Sequence, residues 1–540
     1  MVAGDFLGVY DNRPWEYDPA FPCRSPLIPW LTSGPPLLTI NALLFVIRST
    51  IGLKIPLGFA TFVATRLSYF FYSFIGDSVI RDLSRALGPA EAIASSNRGW
   101  LYASSYITLA YAMRPFSNTL ELHLVMVLIW TIFGYQSPKS SIQKTIVIAC
   151  LLAFGAFARI TFVLLGLPFA LFHFATIGRS FPKHVAAFSL AGILTSIAII
   201  TFDSLYMGHF VITPLNFLRY NSDPANLALH GMHPRWLHAM VNLPLLFGPL
   251  LVATIFNLFS SGQWRSLKPI KSHSMTMNLR RTCTASFVLT LAALSAVPHQ
   301  EPRFLIPLFP LLLFMAPSIP RGKIFAVSWI GFNFALLFIY GVVHQGGIAP
   351  TSLWIERNAK GGARFLGADS LGVDRDHETP SDVFHSDVLF WRSYSVPSAL
   401  FSVPDPGFPS VNISVTNVYP SDTPDSISFL KIIDAAHYPS LPSLNGIASP
   451  NAPTSLKFAS EVALAYSYAP RSTGSDVYSR TLIVMPLTSV DEHLARRTRR
   501  IWRYCGHVAL ERLDDWKEWV AGGGRRWEGA CLGVYVLVDG

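Results

Sequence analysis

The chain has 540 residues, 51% of them hydrophobic and only 14% charged, against roughly a quarter charged in ordinary soluble domains. A net charge of +10 raises nucleic acid as a partner, but Lys and Arg fall in short stretches between apolar blocks and no Gly-rich phosphate loop or nucleic-acid motif accompanies them, so that class is set aside. The apolar mass between residues 36 and 343 exceeds what one globular core would hold, and lipid is its simplest solvent.

The chain opens on a polar, aromatic stretch in which Asp5, Asp11, Glu16 and Asp18 stand among Trp15, Tyr17 and Phe21. Neither a basic leader nor an apolar signal segment is present there, which suggests that a segment is missing before Met1. Rings in such a loop stack on sugar faces or, more commonly, anchor at the membrane interface. Apolar blocks follow at about 27–47, 56–80, 92–113, 120–135, 144–178, 186–202, 238–259, 284–297, 303–318 and 324–343. They predict an all-α, polytopic membrane protein with ten or eleven spans, the count turning on whether 144–178 crosses once or twice.

Ionisable groups at the mouths of such spans are costly and call for a partner, an aqueous cavity or a function. The first island is Arg114-Pro115-Phe116-Ser117-Asn118-Thr119-Leu120-Glu121, where the plainest expectation is a helix capped by Ser117 or Asn118 and an Arg114–Glu121 pair. The second runs from Asp203 through TPLNFLRYN to NLALHGMHPRWLH and carries Arg219, Asn221, His230, His233, Arg235 and His238. Its hydrogen-bonding inventory suits sugar hydroxyls and phosphate oxygens. The histidine spacings match no recognised ligand set, so no metal is assigned to them; no cofactor is certain, and whether a divalent metal assists is left open by the sequence. The third is PHQEPRFLIP, Pro298 to Pro307. Pro302 suits a first helical turn, which would set Glu301 at the start of a helix with Arg303 as a fork for phosphate. The plain alternative is a Glu301–Arg303 clamp at a helix end.

Arg265, Lys268, Lys271, Arg280 and Arg281 lie between two blocks without an acidic residue, so that loop is expected in the cytoplasm. Counting spans from it puts 203–237, 299–303 and everything after Val343 on the far, lumenal side. From Gly346 the composition turns to Pro, Ser, Asp and Gly, and a lumenal tail of mixed, partly irregular structure with limited strand is expected, with a possible glycosylation sequon at Asn412. Three segments result: a loop remnant over 1–35, a multi-span domain over 36–345 and a lumenal region over 346–540. Cys23, Cys150, Cys283, Cys505 and Cys531 form no CxxC pair; free thiols are the expectation, with Cys505 and Cys531 able to bridge in an oxidising lumen. A transporter or flippase would call for inverted internal halves and interrupted mid-membrane helices, and the sequence shows neither.

PHQEPRFLIP resembles the His-x-Glu-x-Arg-Phe signature, and RPFSNTLE the Arg-x-Phe-Ser-Asn-x-x-Glu signature, of the dolichyl-phosphate-mannose-dependent mannosyltransferases that build the glycosylphosphatidylinositol (GPI) anchor and the N-glycan precursor. TPLNFLRYN, NLALHGMHPRWLH and FPCRSP are most similar to the branch that adds the fourth mannose of the anchor, leaving the third-mannose and N-glycan steps as alternatives. The resemblance covers Gly4 to about Gly347, and more weakly Phe390 to Tyr394. It implies a GT-C-like fold and an endoplasmic-reticulum enzyme opening to the lumen. It implies an inverting α1,2 transfer from dolichyl phosphate mannose to a GPI-precursor glycolipid, with no obligatory protein partner evident. In relatives a lumenal His-Pro-Asp-Glu segment supplies the expected base, and this chain begins just downstream of where that segment would stand. The acids left as catalytic candidates are Glu301, Asp203 and Asp5. The candidates for substrate binding are His299 and Arg303, then His233, Arg235 and Asn216, with Arg114, Asn118 and Glu121 from the other signature.

Overall fold

A computed structural model describes residues 5–6, 14–52, 57–87, 89–134, 141–229, 231–260, 274–315, 322–359, 384–391, 411–418, 478–508, 517, 520–521 and 530–537. The basic loop at 261–273, His230 and residues 392–394 of the weak tail resemblance lie outside them. The chain divides into two compact units, one of residues 1–2, 13–40 and 63–337, the other of 3–12, 41–62 and 338–540.

The first unit is built from α1 (Leu27–Ile51), α2 (Leu57–Leu87), α3 (Pro89–Ser104), α4 (Ser117–Ile129), α5 (Ile142–Ala158), α6 (Phe162–Ile177), α7 (Phe181–Met207), α8 (Thr213–Ser222), α9 (Pro224–Leu229), α10 (Leu243–Ser260), α11 (Met275–Ala296), α12 (Leu308–Met315) and α13 (Lys323–Phe338), the ends of α1, α2 and α13 passing into the second unit. Five helical stretches among the described residues are long and apolar enough to cross a membrane: Leu27–Ile51, Ser117–Gly134, Phe162–Met207, His238–Ser260 and Lys323–Val343. Ser117–Gly134 is mostly buried inside the unit, while the outward faces of the other four carry large apolar side chains, as lipid-facing helices do. The block at 144–178, ambiguous in the sequence, is two helices, α5 and α6, separated at Arg159. Gly155 permits that break: a Cβ there would stand 2.0 Å from the Phe162 ring, which folds back onto α5.

Several of the unit's polar groups satisfy backbone carbonyls left open at a proline or at a helix end. Pro36 has no N–H to give the Thr32 carbonyl inside α1, and the Tyr72 hydroxyl donates to it at 3.0 Å. Lys144 donates to the Ile132 carbonyl at 2.8 Å and Arg98 to the Leu313 carbonyl at 3.0 Å. α12, apolar all round, is buried along its whole length, and its Phe309 ring stacks between Tyr102 and Phe247.

The second unit holds α14 (Ile348–Ala359), α15 (Glu492–Arg497) and a five-stranded mixed sheet of order β2-β1-β3-β5-β4, with β1 (Phe384–Trp391) parallel to β2 (Val411–Val418) and β3 (Tyr478–Pro486), and β5 (Cys531–Leu537) antiparallel to β3 and β4 (Thr498–Cys505). Alternate residues Val388, Phe390, Leu482, Val484, Leu532 and Val534 form its core with Ile348 and Ile355 of α14. This small sheet of short strands, scattered along the sequence, fits the mixed tail with limited strand that the composition predicts. Cys505 and Cys531 are register partners on β4 and β5 and form a disulfide, which corrects the expectation of free thiols for this pair. Asn412 lies on the edge strand β2, opposite His385.

Candidate active site

One cavity of about 390 Å³ in the first unit gathers residues from the N-terminal loop, α1, the turn before α4, the α5–α6 break, α8 and PHQEPRFLIP. Three carboxylate–arginine pairs stand in or directly behind its wall.

The first pair is half-buried. Glu301 is held by His299 Nε2 at 3.1 Å and by two nitrogens of Arg303, Nη2 at 3.1 Å and Nε in a shorter contact. His299 Nδ1 faces the Gly231 carbonyl at 3.2 Å, so both ring nitrogens meet acceptors and the doubly protonated imidazolium is favoured. Its pKa is accordingly raised, chiefly by the hydrogen bond to Glu301. Burial pushes the Glu301 carboxyl up, but His299 and Arg303 outweigh it and bring it down to about 2. Glu301 is therefore a permanently ionised clamp and a weak base. With His299 charged, the three groups carry one net positive charge beside the cavity, which suits a phosphate. The α-helix expected to begin near Arg303 is a four-residue 3-10 turn, Pro302–Leu305; Pro307 offers no N–H and α12 starts after it. An anion bound here would be met by the charged side chains, not by a helix terminus.

Gln300, between His299 and Glu301, fixes the segment. It is buried, its Oε1 accepts the His238 N–H at 2.9 Å, and its Nε2 donates to the carbonyls of Arg235, Ser295 and Val297.

The second pair is buried. Arg159 Nε lies 2.8 Å from Glu121 Oε2, with side chains 7% and 1% exposed. Arg159 Nη1 donates to Ser117 Oγ at 3.1 Å, Thr161 Oγ1 donates to Glu121 Oε1 at 2.6 Å, and the guanidinium sits over the Phe304 ring. This corrects the expected Arg114–Glu121 pair: Arg114 instead lies over Tyr111, and the α5–α6 break brings Arg159 to Glu121. The third pair is Glu16–Arg24, whose Arg24 also donates to the Ala158 carbonyl and lies over Phe217.

Of the candidate site residues, His299, Glu301, Arg303 and Asn118 line the cavity, as do Glu16, Tyr17, Ser117 and Asn221 from the polar islands. Asn118 is 2% exposed and its Nδ2 has no hydrogen-bond partner among the described residues, so a ligand oxygen there would satisfy it. Glu121 stands behind the wall. Asp203 is fully buried, accepting from Ser25 Oγ at 2.7 Å, Thr213 Oγ1 at 3.1 Å and the Leu27 N–H, so it caps the start of α1 from α7. Asn216 donates to the Pro22 carbonyl, His233 receives the Gln300 N–H and Arg235 donates to the Ala296 carbonyl; each ties loops together outside the cavity wall. Asp5 belongs to the second unit. Among the described residues no cluster of three His, Cys, Asp or Glu side chains is placed to hold a metal ion.

The profile of the Alg9-like mannosyltransferase family matches residues 1–399. The chain belongs to that family. GPI mannosyltransferase 4 of Emericella nidulans is 33% identical over 74% of this chain and 70% of its own length. Human GPI alpha-1,2-mannosyltransferase 4 is 30% identical over 76% and 72%, and the Saccharomyces cerevisiae GPI mannosyltransferase 4 is 29% identical over 74% and 70%. Among solved structures, ArnT from Cupriavidus metallidurans overlays on 66% of this chain and 63% of its own at 13% identity and a TM-score of 0.39, a likeness too loose to specify a fold.

In this Alg9-like mannosyltransferase the two signatures thus meet at one cavity. Sequence reasoning missed Arg159, Arg24, Gln300 and the role of Glu16. Arg159 left a signal, a lone charge inside the apolar block 144–178, which demands a partner. Gln300 left none, because its four contacts are all with backbone groups.

Proposed function

We propose that this mannosyltransferase transfers mannose from dolichyl phosphate mannose to the third mannose of a GPI-anchor precursor, in α1,2 linkage, at the lumenal face of the endoplasmic-reticulum membrane. The names of its relatives support the fourth-mannose step, and the basic loop at 261–273 supports the orientation. The observation that carries the reading is the cavity wall on which a net-positive His299–Glu301–Arg303 triad stands with the unsatisfied amide of Asn118. Arg303 and His299 neutralise the departing lipid phosphate as its bond to C1 of the sugar breaks, while the amide and the cavity's aromatic rings orient the mannose. A β-linked donor and an α-linked product require one displacement with inversion.

The test is transfer of labelled mannose from a short-chain phosphomannose donor to a trimannosyl GPI precursor, by membranes from cells that lack the fourth-mannose step and express this chain. A tetramannosyl product cleaved by an α1,2-mannosidase is expected. A product lengthened at any other position overturns the linkage, and no product overturns the assignment.

A further inference from the structure

Each carboxylate around the cavity has a determinate set of partners. Glu121 is engaged at both oxygens, by Arg159 and Thr161; Glu301 at both, by His299 and Arg303; Asp203 at both, by Ser25 and Thr213. Glu16 differs. Arg24 Nε and Nη2 both end on Glu16 Oε1, at 3.2 Å each, and Oε2 has no partner among the described residues. The Glu16 side chain is 33% exposed and lines the cavity.

Its backbone is fixed as firmly as its head. The Glu16 carbonyl accepts the N–H groups of Cys23 and Arg24 at 2.8 and 3.0 Å, closing the loop onto itself. Arg24 is in turn pinned by the Ala158 carbonyl at 3.3 Å and by the Phe217 ring, 5.1 Å from its guanidinium carbon. A carboxylate oxygen held open in this way is a preorganised acceptor. Tyr17, Tyr69, Phe217 and Tyr220 on the same wall offer ring faces, and Asn118 offers an unsatisfied donor. A phosphate is disfavoured beside Oε2 by like charge; a hydroxyl, which can donate to Oε2, is the complementary group.

Resting on the proposed mannosyl transfer, we infer that Glu16 is a substrate-contacting residue whose Oε2 accepts a hydrogen bond from one hydroxyl of a mannose bound in the cavity, fixing which hydroxyl pattern is accepted. Arg24 is its positioning residue.

The experiment is a matrix of the unaltered chain, Glu16→Gln and Arg24→Gln against the phosphomannose donor, the trimannosyl precursor and their singly deoxygenated analogues, with kcat/KM as the readout. Glu16→Gln is expected to lose about 10- to 100-fold on full substrates, the range for a hydrogen bond to a charged acceptor. One deoxy analogue is expected to cost the unaltered chain a similar factor and to cost Glu16→Gln nothing further, while Arg24→Gln, which keeps the carboxylate, still discriminates against that analogue. Losses that multiply for every analogue in Glu16→Gln overturn the contact and leave the mannosyl-transfer reading standing. So does an identical response of the two variants, which would mark the pair as purely structural. Absence of transfer by the unaltered chain overturns the functional reading and the contact with it.

Discussion

The pairs Glu121–Arg159 and Glu301–Arg303 use the same side chains beside the same cavity and do opposite things, because one is buried and the other is not. Glu121 and Arg159 are 1% and 7% exposed, and Ser117, Thr161 and the Phe304 ring add further contacts to the pair. Such a pair holds α4 to the α5–α6 break, and removing one member strands a charge without water. Glu301 and Arg303 are 30% and 46% exposed, so their attraction is screened and contributes little to stability, but Arg303 can turn to an arriving anion without leaving a buried charge behind. Burial converts one ion pair into a brace and leaves the other free to act.

Arg159→Met is expected to produce the largest effect, a loss of about 3–5 kcal/mol measured by thermal unfolding in detergent, and Glu121→Gln made with it should recover much of that loss. A single-variant loss below about 1 kcal/mol would place the buried pair in the same class as the half-buried one. Gln300→Leu orphans the His238 N–H and three carbonyls, and the cost is expected at about 1–3 kcal/mol, with transfer falling through misplacement of His299 and Glu301. Arg303→Ala should shift stability by less than about 1 kcal/mol while raising the donor KM about 10- to 100-fold. Equal losses of stability and transfer would show that it is a brace as well.

The smallest effect is a pH dependence. His299 has a folded pKa raised above the ordinary value of about 6.5, so its imidazolium contributes fully below that value and the contribution fades as pH rises through the folded pKa. Donor affinity should therefore decline on the alkaline side in the unaltered chain and lose that limb in His299→Gln. Glu301, at about 2, should add no acid limb above pH 4. An undiminished alkaline limb in His299→Gln would move the titrating group elsewhere.

Much of this molecule could be read before it was folded. Apolar blocks announced the spans, because a segment without polar groups has one low-energy solvent, and the two short signatures announced the chemistry, because charge at the mouth of a span is too costly to be incidental. His299, Arg303 and Asn118 were accessible by that logic. Asp203, Asn216, His233 and Arg235 satisfied it equally well and turned out to cap or tie helices and loops, since a buried polar group needs a partner whether or not a substrate is nearby. The split of 144–178 at Arg159 and the union of Cys505 with Cys531 needed the fold, as did the sheet assembled from strands far apart in the chain. Sequence alone determined the solvent of each segment and the inventory of charges, properties that each residue carries with it. Tertiary structure decided which carboxylate meets which arginine and which oxygen stays open, because hydrogen-bond partners across a cavity depend on distances that no spacing along the chain encodes.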